Sequence, residues 1–252
     1  MGPADIWKYY AITHADHVVC NPLGIERLEA LTATLGLDGD SHVLDIACGK
    51  GEVLCRLAER HGLSGIGVDL SPFAIDDARA RASRSPASDR LQFVVADGTR
   101  YAPPGGTSFN LALCLGASWI FDGFRGTIRA LRSALDGPGT VLIGEPFWTQ
   151  PPSPEYLAAA DLEASTFLTH QGNLTAAEAE GSRVEAVLVS TLEEWDRYEG
   201  MQWVAAERYA AANPTDPDLA TILEKVARSR EAYRRWGRDQ VGWAVYGLRV
   251  DP

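Results

Sequence analysis

No run of 18 apolar residues occurs in this chain, and its first residues, Met-Gly-Pro-Ala-Asp-Ile-Trp-Lys, show no basic stretch followed by an apolar one. That pattern predicts neither a membrane span nor a secretory leader, and so a cytoplasmic protein. Cysteine is scarce. Cys20, Cys48, Cys55 and Cys114 contain no C-x-x-C pair, and no histidine follows at a zinc-site interval. They read as small buried residues of a reducing compartment. No metal constellation is visible, and Asp76-Asp77 reads as a helix face. Positive charge is also short: 23 Lys and Arg against 34 Asp and Glu leave a formal net charge of −11. A nucleic-acid binder neutralises phosphates with clustered basic residues. The dense basic run here, Arg228, Arg230, Arg234, Arg235 and Arg238, is mixed with Glu231 and Asp239 and reads as a solvated helix face. Nucleic acid and membrane are therefore disfavoured as partners, and the oligomeric state stays open.

What is present suffices for one elaborated domain. Of 252 residues 46% are apolar, and a chain of this length buries roughly 70–75% of its unfolded surface. Residues 43–46 form a short apolar run entering Ala47-Cys48-Gly49-Lys50-Gly51. Helical spacing follows through Val53, Leu54, Leu57 and Ala58 to a stop at Gly62. The run 65–68 ends at Asp69, and Ser71 with Pro72 offers the start of a helix over 73–84. Runs at 91–95, 111–115 and 140–144 predict further strands, with a helix over 124–135 closing on Gly137-Pro138-Gly139.

Five β–α repeats predict an α/β, Rossmann-like parallel sheet covered by helices on both faces. After Gln150-Pro151-Pro152-Ser153-Pro154 the pattern changes to a strand over 184–189, helices over 192–212 and 217–237, and a last strand over 243–248. The expected division is an N-terminal segment (1–24) covering the site, a core (25–150), and a remainder (151–252). That remainder carries a helical cap, about 192–237, inserted between the last two strands.

The loop at 47–51 sits where a strand turns into a helix, so glycine there allows a tight turn and close approach of a ligand to bare backbone. A dinucleotide site wants G-x-G-x-x-G; Gly49 and Gly51 fit, but the third position is Leu54. Asp45, inside the strand end, would also repel a pyrophosphate. A cofactor carrying an amine and a sulfonium suits that carboxylate better, which favours S-adenosylmethionine over NAD. Asp69, 18 residues after Gly51, follows the second run, where an acid can accept both ribose hydroxyls. Asp97-Gly98 follows the third, positioned for the adenine amino group and a ring nitrogen. Each acid alone could be a cap or turn former; one at the end of each of three successive strands points to a ligand.

Residues 43–52, 65–71, 94–98 and 113–116 resemble the successive motifs of class I S-adenosylmethionine-dependent methyltransferases over about 25–150 and the terminal strands. The resemblance implies a seven-stranded, mostly parallel sheet whose last strand runs antiparallel. It implies S-adenosyl-L-methionine as donor and S-adenosyl-L-homocysteine as product. It also implies cofactor contacts from Asp45, Ala47, Gly49, Gly51, Asp69, Leu70, Asp97, Gly98 and Leu115. Ala47 departs from the glycine of many members. Residues 114–120, 142–148 and 194–199, with the His-x-x-x-Asn-Pro of His17 to Pro22, further resemble the bacterial YjhP-type methyltransferases. That likeness implies methyl transfer to a small molecule, and the reaction expected here is O- or N-methylation of that acceptor. Use of the donor for carbon alkylation or cyclisation, and a non-catalytic cofactor binder, remain open.

For the acceptor side, the fourth strand ends in Cys114-Leu115-Gly116-Ala117 and lacks the Asp/Asn-Pro-Pro-aromatic segment of nucleobase-amino methyltransferases. His17 and Glu145 are candidate catalytic groups, as base or as holder of a cationic substrate. His14, Trp119 and Trp148 are candidate substrate contacts. Each histidine could equally be a cap, Glu145 a carboxylate satisfied by loop amides. The stripe of Trp195, Tyr198, Gln202 and Tyr209 reads as helix packing onto the sheet.

Overall fold

The computed structural model describes residues 3–103 and 107–251. The chain opens with α1 (Pro3–Thr13) and α2 (Ile25–Thr32), then alternates through β1 (His42–Ile46), α3 (Glu52–His61), β2 (Ser64–Asp69), α4 (Pro72–Ala82) and β3 (Leu91–Val95). The turns behave as their residues dictate. Gly62 takes a left-handed φ of 70° to end α3, and the Ser71 hydroxyl accepts from the Ala74 amide with Pro72 in the first turn of α4.

Next come β4 (Phe109–Leu115), α5 (Phe124–Ser133), β5 (Leu135–Trp148), α6 (Pro154–Ala160), α7 (His170–Ala179) and β6 (Ser182–Val189). Then α8 (Leu192–Ala212) and α9 (Leu219–Ala232) fill the interval before β7 (Val241–Val250). Thr191 and Glu194 form a capping box that starts α8.

The seven-stranded sheet has the order β3-β2-β1-β4-β5-β7-β6. Strands β1 to β5 pair in parallel, and β7 runs antiparallel to both β5 and β6. The strand order reverses at β1, between β2 and β4, so the loops leaving β1 and β4 part there and open a crevice. One face buries Leu28, Leu54, Leu57, Ile75 and Phe93 beneath α2, α3 and α4. The other buries Ile128, Leu131, Ala176, Ala177 and Tyr246 beneath α5 and α7. A third cluster, Tyr9, Ile12, Ala206, Ile222 and Val226, joins α1 to α8 and α9.

Three expectations change. The glycines and proline at 137–139 do not precede a short strand; β5 runs for 14 residues because β7 pairs along it from Gly139 to Trp148. The irregular register between Phe109 and Leu111 absorbs the Gly-Pro stretch. The second C-terminal helix ends at Ala232 and continues as a π turn, Tyr233–Gly237. Of the cysteines only Cys55 and Cys114 are buried, since Cys20 is exposed and Cys48 half-buried at the crevice. The basic run is laced to acids, with Arg230 on Glu207 at 3.2 Å, Arg238 on Asp196 at 2.9 Å, and Arg235 on Glu231.

Gly51, with φ of 71°, caps the loop onto α3, and a Cβ there would stand 2.6 Å from the Phe93 ring and 2.9 Å from Ala78 Cβ. Left-handed strain and overpacking add, so Gly51→Ala is expected to lower unfolding free energy by about 2–4 kcal/mol. Urea denaturation checks this; unchanged stability would mean that the turn is not packed this way.

Candidate active site

The crevice deepens into a cavity of about 530 Å³ at the carboxyl ends of β1, β2, β3 and β4, a volume ordinary for a small-molecule site. Its floor is the loop after β1. Ala47 (φ 58°) and Gly49 (φ 53°) are both left-handed, which turns the chain sharply and leaves backbone facing the cavity. Alanine accepts that conformation at a cost of roughly 1–2 kcal/mol, so the conformation explains why glycine suits the position. The loop is tied twice to β2: the Cys48 amide donates to Val68 O at 3.1 Å, and the Gly49 amide to Asp69 Oδ2 at 2.9 Å.

Five carboxylates line this cavity: Asp45, Asp69 and Asp97 at strand ends, and Glu52 and Asp77 on α3 and α4. Asp45, 3% exposed, sits in β1 between β2 and β4 and lines the cavity. Burial, and then the charge of Asp69, hold its carboxyl well above the usual range, so a cationic ligand would relieve both penalties. Asp69 also accepts from the Ser71 amide at 2.8 Å; burial raises it, against the lowering by its amide donors. Asp97, exposed at the rim, accepts from the Thr99 hydroxyl at 2.7 Å and the Thr99 amide at 2.9 Å. Those bonds hold it below its ordinary range. The turn-forming role is thus real for Asp97, and its side chain still lines the cavity beside Gly98.

Leu70, Leu115 and Trp119 complete this side, with Trp119 74% exposed at the mouth. Gly51 does not line it: the residue faces inward onto Phe93.

The opposite wall comes from outside the β–α core. Ile6, Trp7, Tyr10 and His14 of the N-terminal segment, Asn21 and Tyr198 of α8 close it. Sequence reasoning missed most of these, although Ile6, Tyr10 and His14 recur every four residues, the signal of one helix face. Tyr198, read as sheet packing, instead joins the cavity wall. Lys50 fastens the segment down, its ammonium donating to the carbonyl oxygens of His14 at 2.7 Å and Ala15 at 3.1 Å.

Three candidates lie elsewhere. His17 is 5% exposed and faces a separate recess, where Nε2 meets the Tyr198 carbonyl oxygen at 2.9 Å. Since a carbonyl only accepts, Nε2 is the protonated nitrogen; burial lowers the ring's affinity for a second proton. Trp148 packs against Tyr156 and Phe167 with its indole N–H donating to Ala164 O at 2.9 Å. It is the β5 residue beyond Phe147 and so points to the other side of the strand.

Glu145, 3% exposed, lies behind the wall, where Ser118 hydrogen-bonds it and its Oε2 has no partner. Burial raises it to about 7. A folded-state value above the unfolded one favours folding most below about pH 4.5 and loses that contribution as pH rises through 7. Glu145→Gln should therefore gain stability relative to the parent by about 3 kcal/mol between pH 4 and 8. Denaturation at both pH values checks this; a constant difference would contradict it.

A family profile described as a methyltransferase domain matches residues 43–139. The chain is 33% identical to the uncharacterised protein YjhP of Escherichia coli K12, across 97% of this chain and 98% of that one. A methyltransferase from Geobacter sulfurreducens, crystallised with S-adenosyl-L-homocysteine, superposes with a TM-score of 0.90 at 32% identity, covering 97% and 98% of the two chains. One from Thiobacillus denitrificans, with the same compound, gives 0.88 at 32%, covering 96% and 98%.

A crevice of strand-end acids on a sheet with one antiparallel strand defines a nucleoside-cofactor α/β enzyme. The chain belongs to the S-adenosylmethionine-dependent methyltransferases, in the group that includes YjhP. S-adenosylmethionine is its cofactor, and a glycine turn facing buried carboxylates fits the cationic end of that molecule. Among the described residues no helix is long and apolar enough to cross a membrane.

Proposed function

We propose that the protein transfers the methyl group of S-adenosylmethionine to an oxygen or nitrogen of a small molecule bound in the same cavity. When bound, the cofactor supplies an electrophilic methyl on a positively charged sulfur. The observation that carries the reading is the convergence of Asp45, Asp69 and Asp97, from three adjacent strands, on one cavity. Asp45 and the loop at 47–49 would hold the charged amino-acid end, Asp69 the ribose and Asp97-Gly98 the adenine, with Leu70 and Leu115 flanking.

The opposite wall, lined by α1 and α8, would orient the acceptor and keep water out, so positioning and desolvation do much of the work. In this arrangement His14 and Trp119 remain acceptor-side candidates because both line the cavity. His17 acts by holding the backbone of Tyr198, and Glu145 by holding Ser118 behind the wall.

Calorimetric titration with S-adenosyl-L-homocysteine tests the donor site. Asp69→Ala should weaken binding by about 1.5–3 kcal/mol, or about 10- to 150-fold, through loss of hydrogen bonds to a charged group. Unchanged affinity in a folded variant would remove Asp69 from the site.

A further inference from the structure

We propose that the acceptor is a neutral, planar aromatic molecule methylated on a hydroxyl oxygen, with Tyr198 taking the hydroxyl proton and His14 taking that of Tyr198. The inference rests on the donor reading above and names the second occupant of the same cavity. On the side built by the N-terminal segment and α8, the lining includes Trp7, Tyr10, Val18 and Val19 together with the polar side chains of Asn21, His14 and Tyr198. Such a wall offers rings and branched alkyls to a flat apolar body.

Lys50, Glu52 and Asp77 also line the cavity, from the loop after β1 and from α3 and α4. Lys50 is spent on the carbonyls of His14 and Ala15 and lies 3.9 Å from Asp77, and Glu52 is held by Arg56 at 2.6 Å and Arg81 at 2.5 Å. The lining residues that α1 and α8 themselves contribute, Ile6, Trp7, Tyr10, Ala11 and Tyr198, include no Lys, Arg, Asp or Glu.

The three polar groups have fixed roles. Asn21 Oδ1 accepts from the Leu23 amide at 3.2 Å, which leaves the Asn21 NH₂ as a donor. The Thr13 hydroxyl lies 3.0 Å from Tyr9 O and 3.0 Å from His14 Nδ1. Its one hydrogen goes to the carbonyl, so it accepts from Nδ1–H, and the lone pair of the neutral ring is on Nε2. Nε2 lies 2.9 Å from Tyr198 Oη, whereas Cys20 O is 3.4 Å away, so the phenol donates to the histidine. Tyr198 Oη then presents its own lone pairs. A donor and an acceptor lining one cavity match a hydroxyl, which is both.

In the step itself, an oxygen–carbon bond forms as the carbon–sulfur bond of the donor breaks, and that electron pair stays on sulfur. The hydroxyl proton passes to Tyr198 Oη while the Tyr198 proton passes to His14 Nε2. Positive charge leaves sulfur as it appears on the imidazole, so the cavity's net charge does not change. Burial, then the neighbouring His17 and Lys50, lower His14 to about 3. The ring therefore enters the step neutral and holds the proton only until the products leave.

The test uses protein loaded with S-adenosyl-L-homocysteine and three probes of one shape: 2-naphthol, 2-naphthoate and 2-naphthylmethylammonium. By calorimetry the naphthol should bind at least tenfold more tightly than either ion. With S-adenosylmethionine, Tyr198→Phe should leave donor affinity within twofold and cut kcat for the methyl ether of 2-naphthol by about 100-fold, with KM little changed. For 4-nitrophenol, already ionised in alkaline buffer, the loss should stay below tenfold, because no proton need be removed.

Equal losses for both phenols, tighter binding of either ion, or no methyl ether from naphthol while the donor binds would each overturn the proposal and leave the donor site standing. Failure of S-adenosyl-L-homocysteine to bind would instead remove the reading beneath it.

Discussion

The Asp69 carboxylate accepts from the Gly49 amide on one oxygen and the Ser71 amide on the other, and so ties the turn after β1 to the turn after β2. The Cys48 amide, donating to Val68 O, adds a second tie between the first turn and β2. Joined through one desolvated carboxylate, the two turns form a single rigid lip beside Asp45, which is buried a short distance below. Burial disfavours two neighbouring carboxylates in their charged forms, and a cation placed beside them would lower that cost.

The other half of the cavity obeys a different logic. It is assembled from α1 and α8, elements added outside the β–α repeats, and polar ties fasten them to each other and to the core. Lys8 pairs with Asp216 and Asp218 at 2.8 and 2.6 Å, and Arg208 with Asp16 at 2.8 Å. Glu194 accepts from the Gly24 amide at 2.9 Å and pairs with Arg27. Exposed pairs of this kind contribute little energy each, but here they repeatedly join the N-terminal segment to the region between β6 and β7. On a common sheet, elements added outside the β–α repeats are free to vary without altering the strand ends.

The core was legible because its period was regular. The strand at 91–95 and the helix at 192–212 lie where the residue pattern places them, since buried parallel strands are short apolar runs and α8 begins at a capping box. Helix α7 escaped notice because its buried side chains are Asn173, Ala176 and Ala177, which leave no apolar stripe to read. The three acids were visible as residues ending apolar runs. Which of the two histidines faces the cavity was not, because three residues in a helix-terminal turn decide it. Trp148 failed for a similar reason: its distance from the crevice depends on how far β5 extends, and pairing with β7 lengthens that strand beyond its apolar run.

The most direct test of the account is a crystal structure of the protein with S-adenosyl-L-homocysteine. The expected result has the ribose hydroxyls hydrogen-bonded to Asp69, the adenine beside Asp97 and Gly98, and the sulfur facing the wall formed by His14 and Tyr198. An adenosyl group seated elsewhere, with the three acids bearing no contact to it, would contradict the account.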